Sequence, residues 1–250
     1  MNNTITQLIE DPLRQVEQCY AEALRSDVPL MQTIVDYCGQ KRGKMLRPML
    51  TLLSAGVEKT LHSRSTVLLA TAMEMLHNAS LFHDDVVDED TTRRGQPSAN
   101  SRWGNKAAVL CGDYHLAKAM QLIKDSGRDD AYTLVSQTVV SMSEGELMQL
   151  SLDKNSTRST DTYLRIIGCK TASLMSTCCA IACPSMKEFG YNYGMAFQIK
   201  DDMTDGEAFP AGVEPSALLE KYKAAALQSL QALPASKYRD ALKEMIRALS

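Results

Sequence analysis

His77-Asn78-Ala79-Ser80-Leu81-Phe82-His83-Asp84-Asp85-Val86-Val87-Asp88 runs directly into Glu89-Asp90-Thr91-Thr92-Arg93-Arg94-Gly95. An apolar, helix-like run ends in aspartates spaced D-D-x-x-D. Asp84 and Asp88 stand four apart, so on a helix they project one above the other, with Asp85 to the side. Carboxylates packed this closely repel one another. A hard divalent cation relieves the repulsion, and Mg²⁺ is typically held by one or two carboxylates together with substrate phosphates. Arg93 and Arg94 follow at once, and arginine forks match phosphate oxygens. Aspartates, a metal and arginines describe a diphosphate site. The plainer alternative is an acidic helix end in solvent.

A second copy decides between them. Phe197-Gln198-Ile199-Lys200-Asp201-Asp202-Met203-Thr204-Asp205 repeats the arrangement of an apolar helix closed by D-D-x-x-D. Two such clusters on two helices can face each other across a cavity and hold a metal-bridged diphosphate.

Composition narrows the class. In 250 residues, 44% are hydrophobic and the formal charge is -3, which suits a globular protein and leaves no footprint for nucleic acid. No apolar run is long enough for a membrane span. Met1-Asn2-Asn3-Thr4 shows no secretory pattern. The 7 cysteines lack zinc-type pairs and sit mostly in apolar helical context, which predicts reduced thiols and a cytoplasmic protein. Cys179-x-x-x-Cys183 is an alternative redox or partner contact.

Helical spacing dominates the chain. Leu8, Ile9, Leu13, Val16, Tyr20 and Leu24 recur at that spacing, with a restart at Asp11-Pro12. Asp27 predicts the cap of a helix that begins at Val28-Pro29 and ends near Gly39. Gln40 to Lys44 is a basic loop, and Pro48 fits the first turn of the next helix. Helix is expected from about Ser65 to Asp88, then a loop from Glu89 to Trp103. Further helical runs are 105–124, 128–150, 161–183, 186–204, 216–232 and 236–249. No alternating strand pattern is present. The reading is all-α, a single-domain bundle of helices around a central cavity over residues 1–250.

These motifs resemble those of the trans-isoprenyl diphosphate synthases, the polyprenyl synthetase family, long-chain members included. The resemblance rests on Arg42-Gly43-Lys44-Met45-Leu46-Arg47-Pro48, both aspartate motifs, Gly112-Asp113-Tyr114, Gly145-Glu146-Leu147-Met148-Gln149 and Lys170-Thr171-Ala172, in family order. It implies an isoprenoid synthase-like fold, a homodimer through the helices at 105–150, and a Mg²⁺-dependent condensation of isopentenyl diphosphate with an allylic diphosphate. Metal falls to Asp84, Asp88 and Asp201, supported by Asp85, Asp202 and Asp205. Arg93, Lys170 and Lys200 contact the allylic diphosphate. Lys44, Arg47, His77 and Arg94 hold isopentenyl diphosphate, and Thr171 and Gln198 orient substrate. His77 lies seven residues before Asp84 and shares nearly the same helix face. His83 has no such support.

The sequence departs from the family after Asp205, where the chain is shortened and the usual lysine-bearing loop is not found, and between Cys183 and Met186. That keeps a non-catalytic partner subunit in view beside a catalytic synthase. A class I terpene cyclase shares the first motif but not a second D-D-x-x-D. Product length is expected to be long, because Ser80, one turn below Asp84 on the same face, and Ala79, at the adjoining edge where the resemblance implies bulky aromatic residues in short-product synthases, are both small. Met73, eleven residues before Asp84, is the candidate floor of the tail's path. Shorter farnesyl or geranylgeranyl products are the alternative.

Overall fold

The computed structural model describes residues 3–41, 43–152 and 159–249; Arg42 of the basic loop lies outside the described residues. The all-α expectation holds. The chain gathers into two compact units: Glu10–Met49 with His62–Arg128, and Met1–Ile9 with Leu50–Leu61 and Asp129–Ser250. No helix among the described residues is long and apolar enough to cross a membrane.

Helices α1 (Asn3–Leu8) and α2 (Glu10–Ala23) divide near the expected restart, and α3 spans Pro29–Gly39. The cap predicted at Asp27 is corrected. Val28 takes the N-cap position without a side-chain bond, and Pro29 opens the helix where an N–H is not needed. The N–H of Ser26 donates to the amide oxygen of Gln32 at 3.0 Å instead. Helix α4 (Leu46–Val57) carries Pro48 in its first turn as expected.

Helix α5 (Arg64–Val87) starts at Ser63, whose side chain accepts the N–H of Thr66. Every residue from Thr66 to Leu76 is buried, so α5 is a core helix and not a one-faced surface helix. Asp88 is its C-cap, which puts the first aspartate motif in the last turn.

The predicted loop after Asp88 is corrected in part. Strands β1 (Thr92–Arg93) and β2 (Gln96–Pro97) pair antiparallel, Arg93 opposite Gln96, and helix α6 covers Ala99–Trp103. Arg94 and Gly95 both have positive φ, 53° and 73°, as a two-residue type I′ hairpin turn requires. Strands two residues long cannot show alternation, which is why the sequence pattern missed them.

Helix α7 (Asn105–Asp125) packs along α5. Gly112 makes the approach possible, since a Cβ there would lie 2.3 Å from Nε2 of His83. Ile34, Phe82, Ala99, Ala108 and Cys111 form the buried cluster beside them.

The other unit contains α8 (Asp129–Leu150), α9 (Thr160–Ile167), α10 (Ser173–Ala180), α11 (Lys187–Asp205), α12 (Pro215–Ser229) and α13 (Lys237–Arg247). The helical run expected over 161–183 is present from Thr160 to Ala180, with a π-helical turn, Gly168–Ala172, joining α9 to α10. That turn carries Lys170 and Thr171, and such turns often mark functional sites. Helix α11 ends at Gly206, left-handed at φ 74°, so the second aspartate motif also occupies a last turn.

Glycines set how deeply α11 seats. A Cβ on Gly190 would lie 2.6 Å from the carbonyl oxygen of Met175, and one on Gly194 2.6 Å from Cα of Ala172. Backbone atoms cannot swing aside as a side chain can. Gly190→Ala is expected to destabilise the fold by about 1–3 kcal/mol despite alanine's better helix propensity, as measured by urea unfolding.

Candidate active site

The first motif sits at the negative end of α5. Asp84 is half-buried and Asp88 exposed, while Asp85 is only 4% exposed. Arg93 meets Asp85 through Nη2 and through Nε at 2.6 Å, and also reaches Asp90 at 3.1 Å. Burial works against the charge on Arg93, but its bond to Asp85 and the charges of Asp85, Asp90 and Asp84 outweigh it and raise its pKa. Asn100, which the motif reading missed, donates to the backbone carbonyls of Asp85 at 2.8 Å and Asp90 at 3.0 Å. It straps α6 onto the segment after α5, sharing the Asp85 carbonyl with the N–H of Asp90 at 3.0 Å and the Asp90 carbonyl with the hydroxyl of Ser98 at 2.7 Å.

Arg94 diverges from Arg93 because it sits on the hairpin turn. Its guanidinium donates to the carbonyl of Lys41 at 3.0 Å and lies against Gly43. Lys44 is exposed just before α4, and Arg47 is half-buried in the first turn. Arg47, Arg94 and Arg93 all bear on His77. Burial first, and those three charges next, hold its pKa well below the ordinary value, so His77 is neutral.

Glu74, three residues before His77, was not singled out by the motifs. It is 4% exposed, and its Oε2 has no hydrogen-bond partner among the described residues. Its pKa is raised by burial, against the opposing pull of Arg47 and Arg94. A charged residue inside the apolar run Leu68–Leu76 was the available signal. Glu74, Asn78 and Arg94 line a cavity of about 300 Å³ with Tyr20, Cys38 and His115.

The second motif follows the same plan. Asp201 and Asp205 are exposed, while Asp202 is half-buried and engaged. The hydroxyl of Tyr163 donates to its Oδ2 at 2.6 Å, and the amide of Gln198 donates to its Oδ1 at 2.8 Å. Thr171 donates to the amide oxygen of Gln198 at 2.7 Å, so these two residues support Asp202. Lys170 pairs with Glu146 at 2.5 Å and donates to Gln149 at 3.1 Å. Lys200 is half-buried on α11.

Both motifs place anions at helix C-termini, where the macrodipole is already negative. Among the described residues no three His, Cys, Asp or Glu side chains gather into a ready-made metal cage. Paired hard oxygens without a cage suit a cation of the Mg²⁺ type, which keeps waters and shares substrate phosphate oxygens. The donor set therefore fits.

The cysteines are free. Burial pushes the Cys179 thiol up to about 12, and Cys183 donates to Glu58 at 3.2 Å. Neither has thiolate character at neutral pH.

A family model described as polyprenyl synthetase matches residues 28–217. The chain is 35% identical over 207 residues to heptaprenyl diphosphate synthase component 2 of Bacillus subtilis; the match covers 79% of this chain and 59% of that protein's length. Its fold matches the crystal structure of a decaprenyl diphosphate synthase from Rhodobacter capsulatus with a TM-score of 0.88 at 25% identity, covering 99% of this chain and 98% of that one. A polyprenyl synthase from Caulobacter crescentus, crystallised with calcium and isoprenyl diphosphate, matches in fold with a TM-score of 0.88 at 24% identity, covering 98% and 96%.

Glu74 gives a pH test. Its folded-state pKa lies above the ordinary 4.5, so as pH rises the unfolded chain releases this proton first. Ionised Glu74 therefore subtracts stability above that window and has no effect below it. Glu74→Gln is expected to unfold at higher urea than the native chain at pH 7, with the gain vanishing near pH 4. An equal gain at both pH values contradicts a folded-state pKa raised by burial at Glu74.

Proposed function

The chain belongs to the polyprenyl synthetase family, and on that premise we propose that it joins isopentenyl diphosphate to an allylic diphosphate to give a long-chain trans-polyprenyl diphosphate. The observation that carries this reading is the doubled plan of the aspartate motifs. Each presents exposed or half-exposed carboxylates at a helix end and holds its middle aspartate with protein donors.

Asp84, Asp88 and Asp201 would hold the metal, with Asp205 in support; a bound Mg²⁺ would supply Lewis-acid stabilisation of the leaving diphosphate and a template for its orientation. The calcium in the Caulobacter structure supports a divalent cation. Arg93, Lys170 and Lys200 neutralise the departing allylic diphosphate. Lys44, Arg47, His77 and Arg94 hold isopentenyl diphosphate in line. The carbon–oxygen bond to diphosphate breaks to leave a delocalised allylic cation, the isopentenyl double bond attacks it, and the proton then lost from the new chain passes to the released diphosphate. Water must be kept from this cation, which it would quench.

Small residues below the first motif support a long product. Ala79 is buried, Ser80 is half-buried with its hydroxyl on the carbonyl of His77, and Met73 is fully buried further down α5. The names of the Bacillus and Rhodobacter relatives point the same way. Exposed Leu110 on α7, and Val140 and Leu147 on α8, support a homodimer; each is more than half exposed. Free thiols fit a cytoplasmic location.

The chain spans 59% of the Bacillus relative's length; that relative is named as a synthase component, which favours a second reading in which the chain works beside a different subunit.

The test is turnover by Asp84→Asn and Asp201→Asn proteins whose circular dichroism matches the native chain. Each substitution is expected to lower the rate about 10²-fold or more, the scale seen when electrostatic transition-state stabilisation is removed. Near-native rates in both refute the site.

A further inference from the structure

Both carboxylate oxygens of Asp202 accept from protein donors, and the less expected donor is Tyr163. Tyr163 lies on α9, 39 residues from Asp202, and only 3% of it is exposed. Its hydroxyl-to-carboxylate distance of 2.6 Å is that of a charge-assisted hydrogen bond, roughly twice as strong as a neutral one.

The tyrosine is itself fixed. Its ring meets Phe209 edge-on at 5.4 Å. Phe209 belongs to the segment after the second motif. The left-handed Gly206 and the bond from Glu207 N–H to the Asp202 carbonyl, 2.9 Å, turn that segment back at the end of α11. On the other side, Thr171 holds Gln198, which holds Asp202. The last turn of α11 is thus tied to α9 through Tyr163 and to the π-helical turn through Gln198.

Asp201 precedes Asp202 on that turn, so its direction follows from how the turn is tied. We propose that Tyr163 is a positioning residue: by holding Asp202 it fixes the end of α11 so that Asp201 meets the metal-bound diphosphate, and Asp202 is itself an anchor and not a metal ligand. The proposal rests on the prenyltransferase reading of this site. Outer-shell partners of this kind typically tune metal affinity as well as turnover.

Binding of inorganic pyrophosphate to the full chain, followed by isothermal titration calorimetry over a series of Mg²⁺ concentrations, tests it without reference to activity. Tyr163→Phe keeps the ring on Phe209 and removes only the hydroxyl. It is expected to raise the Mg²⁺ requirement about tenfold, and Asp202→Asn to do the same. Asp201→Asn is expected to cost about a hundredfold or more. The double variant Tyr163→Phe/Asp202→Asn should be weaker than Asp202→Asn by less than the tenfold that Tyr163→Phe costs alone, because both changes act on the Tyr163–Asp202 bond.

A folded Tyr163→Phe protein with native Mg²⁺ dependence overturns the proposal. So does an Asp202→Asn protein as impaired as Asp201→Asn, and that comparison decides the matter if Tyr163→Phe does not fold. A native chain that binds no pyrophosphate at any Mg²⁺ concentration overturns the prenyltransferase reading along with the proposal. Unchanged variants of a binding-competent native chain overturn the proposal alone.

Discussion

Carboxylates gathered at the negative end of a helix repel one another and the helix dipole together. The cost of each such placement is modest, about 0.3–1 kcal/mol, but this chain makes it repeatedly, on α5 and again on α11. The surrounding structure can be read as what makes those two ends tenable. Asp85 is buried under the fork of Arg93, and Asp202 accepts from Tyr163 and Gln198. The protein supplies a counter-charge or donors for the middle aspartate of each motif, while Asp88, Asp201 and Asp205 are exposed and Asp84 is half-buried.

Cations near the first motif are restrained in turn. Arg93 is shared between Asp85 and Asp90, Arg94 rests on the carbonyl of Lys41, and buried Glu74 stands among the charges of Arg47 and Arg94. A buried carboxylate that burial penalises is poor material for stability alone. Its place three residues before His77, in a cluster read as the isopentenyl diphosphate site, suits a role in balancing that positive charge. In the other unit Lys170 is tied to Glu146 and Gln149 in a comparable way.

The sequence revealed what depends on spacing and little of what depends on contact. The D-D-x-x-D repeats, the length of α5, the helix order and the divergence of Arg93 from Arg94 all follow from periodicity or adjacency. The hairpin that produces that divergence was within reach, since Arg94-Gly95 is a plausible type I′ pair, but its strands were too short to register. Glu74 carried a signal, a lone acid in an apolar run. Tyr163, Asn100 and the π-helical turn carried none: each gains its meaning from residues or backbone bonds brought together only by folding. The misplaced cap at Asp27 reflects local competition, with Gln32 reaching the N–H of Ser26 and Pro29 removing one donor from the first turn.

The central claim is that these two helix ends serve chain elongation by this polypeptide itself. The most direct measurement is mass spectrometry of the lipid products formed when the purified chain alone is incubated with farnesyl diphosphate, isopentenyl diphosphate and Mg²⁺. The account predicts a series of products growing in five-carbon steps and accumulating well beyond geranylgeranyl diphosphate, and none when Mg²⁺ is chelated. Unchanged farnesyl diphosphate, with elongation appearing only when a second synthase subunit is added, contradicts it.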